Sequence, residues 1–352
     1  MPLIIFLEGN MLLILNPLKP FYINENDKLI RMGNFKENAK EIQYDSDSLL
    51  EVFNNLKEPI DKERLVNIVK KHTGLQKNEI ISVIDYLVEE NFIIDYDMYH
   101  NVINEENLSR QSLYFSMINE NIKNWNLKKQ PNILILGLGG VGSNVAIFLS
   151  RSGFKNFTLV DFDKIEKSNL IRQFFYNIDE ISKYKTEVLS NKLINSNVVT
   201  LNSKIEKESD IEEQIIKSDF VVCTLDKPMR VIRRLINKLC VKHSKPVLFS
   251  GFSEHVALIG PFIVPNKSAC LKCIEKELDD KPLNNVKIVP SYGPLCLLIS
   301  SIVTNEIINY FYKYNCSNLI GKTMMFNMLT YESEIINWKR KRNCEVCGND
   351  SK

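Results

Sequence analysis

The stretch Ile133-Leu134-Ile135-Leu136-Gly137-Leu138-Gly139-Gly140-Val141-Gly142 decides the fold of this chain. Four aliphatic residues in a row, without polar alternation, predict a strand buried on both faces, as in a parallel sheet. The glycines behind it let the backbone turn tightly and approach a phosphate. Val141–Ser152 then reads as a helix whose N-terminal N–H groups face an anion. Gly137, Gly139, Gly140 and Gly142 are therefore candidate nucleotide-binding positions. A second strand, Phe157–Val160, ends in Asp161, whose carboxylate suits a ribose hydroxyl. Further downstream, strands Val198–Leu201, Phe220–Val222 and Val247–Phe249 alternate with helical stretches Lys185–Asn195, Asp210–Ser218 and Pro228–His243. Such alternation predicts a doubly wound α/β domain. Beyond His255 the pattern turns antiparallel (256–264, 323–328, 333–338), around one long helix from Pro294 to Tyr314.

Upstream, residues 1–100 read as a small mixed unit. Short apolar runs at Leu12–Leu15, Phe21–Ile23 and Leu29–Ile30 are separated by Pro, Asn and Asp, as turns would separate strands. Three helical patterns follow (48–56, 63–71 and 77–90), then the strand-like Phe92-Ile93-Ile94. This order is winged-helix-like, but the helix that would read DNA carries Glu79, Asp85, Glu89 and Glu90, which repel phosphate. Residues 101–130 are polar and read as a linker helix, and 131–352 as the main domain. The expected fold class is thus α/β, a Rossmann-like, mostly parallel sheet, with a small N-terminal α+β domain.

Composition narrows the partners. Of 352 residues, 44% are apolar, and 45 Lys and Arg balance 43 Asp and Glu to a net charge of +2. That balance supplies no field for nucleic acid or an anionic membrane. Glu8, Asn10, Pro17 and Pro20 interrupt the apolar start well short of the ~20 residues a spanning helix needs, so a cytoplasmic protein is expected.

The residues after Asp161 separate two kinds of nucleotide. Asp161-Phe162-Asp163 leads into Asn169, Arg172 and, at the next helix start, Lys185. A dinucleotide needs no such gathering behind the ribose carboxylate, whereas a triphosphate must be clamped by cations. Asp226 lies just past a buried strand, where ligands of open sheets bind, and suits Mg²⁺ held against phosphate oxygens; alone it reads equally as a helix cap.

Four of the eight cysteines form two pairs, Cys270-x-x-Cys273 and Cys344-x-x-Cys347. Two such knuckles complete a tetrahedral, closed Cys₄ site for structural Zn²⁺. Cys296 falls inside the long helix and reads as core. Arg230, Arg233, Arg234 and Lys238 read as a solvated helix face.

Together these motifs resemble the ThiF/MoeB type of adenylyltransferase, in the ubiquitin-activating-enzyme-like family, over roughly residues 107–349. The resemblance implies a homodimer that uses ATP·Mg²⁺ to adenylate a C-terminal carboxylate. It implies that Gly137, Gly139, Gly140 and Gly142 line the nucleotide loop and that Asp161 holds the ribose with Asp163 beside it. Asn169, Arg172 and Lys185 would contact phosphates, Asp226 would bind magnesium, and Arg110, in Ser109-Arg110-Gln111, would act in the second subunit's site. Leu225-Asp226-Lys227-Pro228, 260–267 and 344–349 are similar to the family's branch in microcin C biosynthesis. That likeness implies an N-terminal peptide clamp, a short ribosomal precursor peptide as substrate and a nitrogen–phosphorus linked product. Two positions depart: Asn107 stands where the family has arginine, and Lys227 follows the magnesium aspartate, which leaves ATP or CTP open as donor. No cysteine lies in 277–291, so no thioester step is expected. The rival readings are a sulfur-carrier adenylyltransferase, a silent leader-peptide-binding partner, and an NAD-dependent oxidoreductase, in which Arg172 and Lys185 have no task.

Overall fold

A computed structural model describes residues 11–24, 26–33, 39–44, 47–104, 109–118, 130–225, 229–275, 290–313 and 319–348. The chain divides into two compact units, Met1–Lys123 and Asn124–Lys352.

In the first unit, β1 (Leu12–Leu15) alternates so that Leu13 and Leu15 face inward. The strands β2 (Phe21–Asn24), β3 (Leu29–Met32) and β4 (Lys40–Gln43) form an antiparallel sheet in the order β2-β3-β4. Helix α1 (Asp47–Asn55) and strand β5 (Ile60–Asp61) follow. Asp61 caps α2 (Lys62–Thr73) by accepting the N–H groups of Glu63 and Arg64 at 2.8 and 3.0 Å, and Gly74 ends it with φ +73°. After α3 (Lys77–Glu89), β6 (Ile93–Asp95) returns to pair with β1 in a second sheet, β5-β1-β6. Phe53 and Phe92, edge to face at 6.4 Å, centre the core between sheet and helices. Helices α4 (Tyr96–Ile103) and α5 (Ser109–Ile118) complete the unit. Strand β4 escapes the sequence reading because its Lys-Glu-Ile-Gln has little apolar signal; it is held by pairing with β3, where Arg31 meets Glu41 at 3.2 Å.

The second unit is one eight-stranded sheet. Its elements are β7 (Asn132–Leu136), α6 (Gly142–Arg151), β8 (Asn156–Val160), α7 (Lys185–Lys192), β9 (Asn197–Leu201), α8 (Glu212–Lys217), β10 (Phe220–Cys223), α9 (Met229–Lys242), β11 (Val247–Ser253), β12 (Val256–Ile263), α10 (Leu271–Ile274), α11 (Gly293–Tyr312), β13 (Lys322–Asn327) and β14 (Ser333–Asn337). The strand order is β14-β13-β12-β11-β10-β7-β8-β9, parallel from β11 to β9 and antiparallel from β11 to β14. The chain therefore winds one way through β8 and β9 and the other through β10 and β11. The switch point lies between β7 and β10, where a crevice opens for ligands.

Residues alternate across this sheet. Leu134, Leu136, Val221 and Phe249 pack with α8, α9 and the cysteine knuckles. On the other side, Phe220 stacks edge-on with Phe262 and Tyr310, both at 5.5 Å, and Phe154 meets Phe311. Among the described residues α11 alone is long and apolar enough to cross a membrane, and its Leu295, Cys296, Ile299, Val303 and Ile307 are buried within this unit.

Candidate nucleotide site and cysteine cluster

The turn after β7 is built so that only glycine fits at its hinges. Gly137 has φ +89°, a region L-residues avoid, and a Cβ on Gly142 would stand 1.9 Å from the Gly137 carbonyl oxygen. The turn sits against α11, since a Cβ on Gly140 would meet Cys296 Sγ at 2.7 Å. Cys296 is thus core, and burial pushes its thiol up to about 11.

Asp161 reaches this turn from the end of β8. Its Oδ2 accepts the Leu138 N–H at 2.6 Å and its Oδ1 the Asp163 N–H at 2.8 Å. Burial raises its pKa above the usual carboxylate range, against the pull of Lys185 and these two N–H groups. The carboxylate therefore braces the turn and keeps its second lone pairs for a ligand. Lys185, at the start of α7, is 6% exposed and pairs with Asp163 at 2.8 Å. Asp163 is half exposed, so the ammonium stands at the inner end of an ion pair that opens to solvent.

Between them, a short turn at 167–169 carries Asn169 and leads on to Arg172. Asn169 is buried, and its Oδ1 accepts the Glu166 N–H at 3.2 Å, closing that turn. Arg172 donates through Nη1 to the Ser168 carbonyl at 2.8 Å, and its other guanidinium N–H groups have no partner among the described residues. The second unit thus brings Gly137 to Gly142, Asp161, Asp163, Asn169, Arg172 and Lys185 to the C-terminal side of β7 and β8. Asp226 lies outside the described residues; β10 leads to it through Thr224 and Leu225. Arg110 is exposed on α5 in the first unit.

Helix α9 requires a correction. Arg233 is not a solvated residue: Nη2 donates to the Ser250 carbonyl at 2.8 Å, Nε to the Leu225 carbonyl at 3.5 Å, and the guanidinium lies 5.8 Å from the Phe249 ring centre. It thereby ties the C-terminal ends of β10 and β11. Arg234 and Lys238 stay on the surface, paired with Glu275 and Glu208. Replacing Arg233 with Met is expected to lower stability by about 1–3 kcal/mol, because the Ser250 carbonyl loses its donor. A urea titration beside Arg234→Met, expected to be near neutral, checks it.

The four cysteines converge. Cys270, Cys273, Cys344 and Cys347 are all buried, with their Sγ atoms within 4.8 Å of one another. Three of the separations are 3.9, 3.6 and 3.4 Å. A tetrahedron with Zn–S bonds of ~2.3 Å has edges of about 3.8 Å, so the donor set fits zinc. The Cys344 knuckle is tight: Gly348 N–H donates to the Cys344 carbonyl at 2.7 Å. Asn237 of α9 accepts the Leu271 N–H at 2.9 Å, fixing the other knuckle to the domain.

Sequence reasoning missed Tyr176, Thr224 and Ser300, which donate to the carbonyls of Leu138, Gly137 and Val141 across long sequence separations, so no local pattern marks them.

A doubly wound sheet with a glycine turn at its switch point, a braced acidic residue and an inward lysine defines a nucleotide-binding enzyme. The chain belongs to the ThiF family, whose model matches residues 108–347. Molybdopterin-synthase adenylyltransferase of Escherichia coli K12 is 26% identical over 223 residues, 62% of this chain and 88% of that protein. Adenylyltransferase and sulfurtransferase MOCS3 of Caenorhabditis briggsae is 28% identical over 226 residues, 63% of this chain but only 56% of the relative. Among solved structures, E. coli MccB with MccA superposes with a TM-score of 0.78 at 22% identity, covering 96% of this chain and 100% of that one. E. coli MccB with ATP gives 0.75 at the same identity and coverage. At that identity these structures establish a shared fold. The chain is an adenylyltransferase of the ThiF/MoeB type.

Proposed function

We propose that the protein adenylates the C-terminal carboxylate of a short, ribosomally made precursor peptide, in a microcin C-like pathway of the cytoplasm, working as a homodimer with ATP and Mg²⁺. One observation carries the choice of a peptide. The fold shared with MccB takes in 96% of this chain, the small N-terminal unit included, whereas the MoeB-like relative matches 62% of it. That unit offers the edge strands β2 and β4 and a groove of about 450 Å³ lined by Ile14, Pro17, Pro20 and Phe21. Unpaired edge groups capture an extended peptide as an added strand, and apolar pockets take its side chains.

In this reading the glycine turn receives the phosphates on its N–H groups and Asp161 receives the ribose. A peptide carboxylate oxygen attacks the α-phosphorus in line; the new P–O bond forms as the bond to pyrophosphate breaks, and pyrophosphate carries off the electron pair. Arg172 and Lys185, joined by Arg110 from the second copy, hold the charge that accumulates on the phosphate oxygens. Asp226 would hold a magnesium ion, which would supply positive charge to balance the leaving pyrophosphate. Catalysis is positioning and electrostatics. Where the peptide ends in Asn, its amide nitrogen attacks the adenylate phosphorus, and the N–P bond forms as the P–O bond to the peptide carboxylate breaks. The carboxylate leaves with the electron pair and the amide gives up a proton, which yields the nitrogen–phosphorus product. The cysteine cluster binds zinc and is structural.

The second reading, a sulfur-carrier adenylyltransferase, is favoured by the names of the sequence relatives. Pyrophosphate exchange into ATP separates the two. The peptide reading expects exchange that depends on a short peptide encoded beside the gene, with a nucleotidyl peptide seen by mass spectrometry. ATP and CTP compared in the same assay identify the donor. Exchange with a carrier protein ending in Gly-Gly, and none with the peptide, overturns the peptide reading.

A further inference from the structure

Each carbonyl from Gly137 to Val141 meets a side-chain donor. Gly137 O accepts the Thr224 hydroxyl at 2.9 Å, Leu138 O the Tyr176 phenol at 3.2 Å, and Gly139 O the Ser143 hydroxyl at 2.7 Å. Gly140 O accepts the Asn144 amide, and Val141 O the Ser300 hydroxyl at 3.1 Å. A trans peptide unit is planar, and its C=O points opposite to the N–H of the next residue. Each of these bonds therefore aims one N–H. That of Leu138 goes to Asp161. Those of Gly139, Gly140, Val141 and Gly142 have no acceptor among the described residues, so they form a row of donors for an anion.

Ser143 and Asn144 belong to α6 and bond back one helical turn, a local habit of these residues. Tyr176 is different. It comes from the segment that carries Arg172, whose carbonyl in turn lies 3.2 Å from the position a Cβ on Gly140 would take. Its ring is 3% exposed, and burial, with the Asp161 charge nearby, holds the phenol protonated far above its ordinary range. It is thus a permanent donor.

We infer that Tyr176 is a positioning residue of the nucleotide site: its phenol holds the Leu138 carbonyl away from the phosphates and turns the Gly139 N–H toward them. It also joins the glycine turn to the arginine segment, so the two halves of the phosphate grip hold a common register. The inference rests on the reading that this turn binds ATP.

The test is Tyr176→Phe in the full chain, with calorimetric titration of ATP and, separately, of adenosine, which lacks phosphates. Losing the donor leaves a buried carbonyl free to swing toward the anion, so the ATP Kd is expected to rise about tenfold. The adenosine Kd stays as in the parent. A residue that merely supports the fold would weaken both ligands alike. Should Tyr176→Phe prove insoluble, Tyr176→Met, which likewise lacks the donor, is titrated in its place and is expected to show the same selective loss. Unchanged ATP affinity, or an equal loss for ATP and adenosine, overturns the inference. A parent protein that binds no ATP overturns the functional reading instead.

Discussion

Lys185→Met is expected to lower peptide-dependent pyrophosphate exchange by about 10²–10³-fold while leaving the melting temperature nearly unchanged. The Lys185 side chain is 6% exposed and its ion-pair partner, Asp163, is 49% exposed. A buried cation beside the glycine turn acts where water screens little, so its attraction to developing negative charge is far larger than on the surface. Methionine keeps the length and apolar volume of the stem and removes the charge. Asp163 is left without its cation, but it is open enough to hydrate, which is why the fold is expected to survive. Arginine should not rescue: its planar fork needs space and acceptors that a compact ammonium does not. The measurement is kcat/KM for exchange, read against a thermal melt. Exchange at the parent rate would remove Lys185 from the phosphate grip and, with it, the distinction from a simple dinucleotide fold.

Removing zinc is expected to have the largest effect on stability. Four buried thiols from two segments far apart in the chain meet within 4.8 Å. Without an ion they are weak hydrogen-bonding groups; with one, they close a long loop and share the metal's binding energy, on the order of 10 kcal/mol for structural zinc sites. The cluster lies in the core shared by β7, β10, β11, α8 and α9. Arg340 adds to the staple, donating to the carbonyls of Cys347 and Asn266. Protein as purified should hold one zinc per chain by atomic emission. Strong chelation, or Cys344→Ser, should lower the melting temperature by about 10 °C or more. A metal-free preparation that melts at the same temperature with and without chelator would leave the cysteines as ordinary core residues.

Much of the second unit was legible before any coordinates. The uninterrupted apolar run 133–136 requires a strand covered on both faces, and such strands in alternation with helices allow few topologies. The predicted spans 220–222 and 247–249 sit inside β10 and β11. Cys270-x-x-Cys273 and Cys344-x-x-Cys347 announced their own convergence, because metal-ligand spacing is local chemistry. Strands β4 and β5 were not legible: four largely exposed residues and a two-residue bridge bury too little to leave a pattern, and pairing partners hold them.

The amino-acid sequence alone determined which groups gather at the glycine turn, for it placed the glycines behind β7 and Asp161, Arg172 and Lys185 behind β8. Tertiary structure decided how those groups are aimed. Tyr176, Thr224 and Ser300 lie 38, 87 and 159 positions from the carbonyls they hold. Likewise Arg233, which reads as a solvated cation in isolation, ties two strand ends. Periodicity and motif spacing report on neighbours along the chain, whereas the direction of a peptide N–H is settled by whatever side chain the fold brings to its other end.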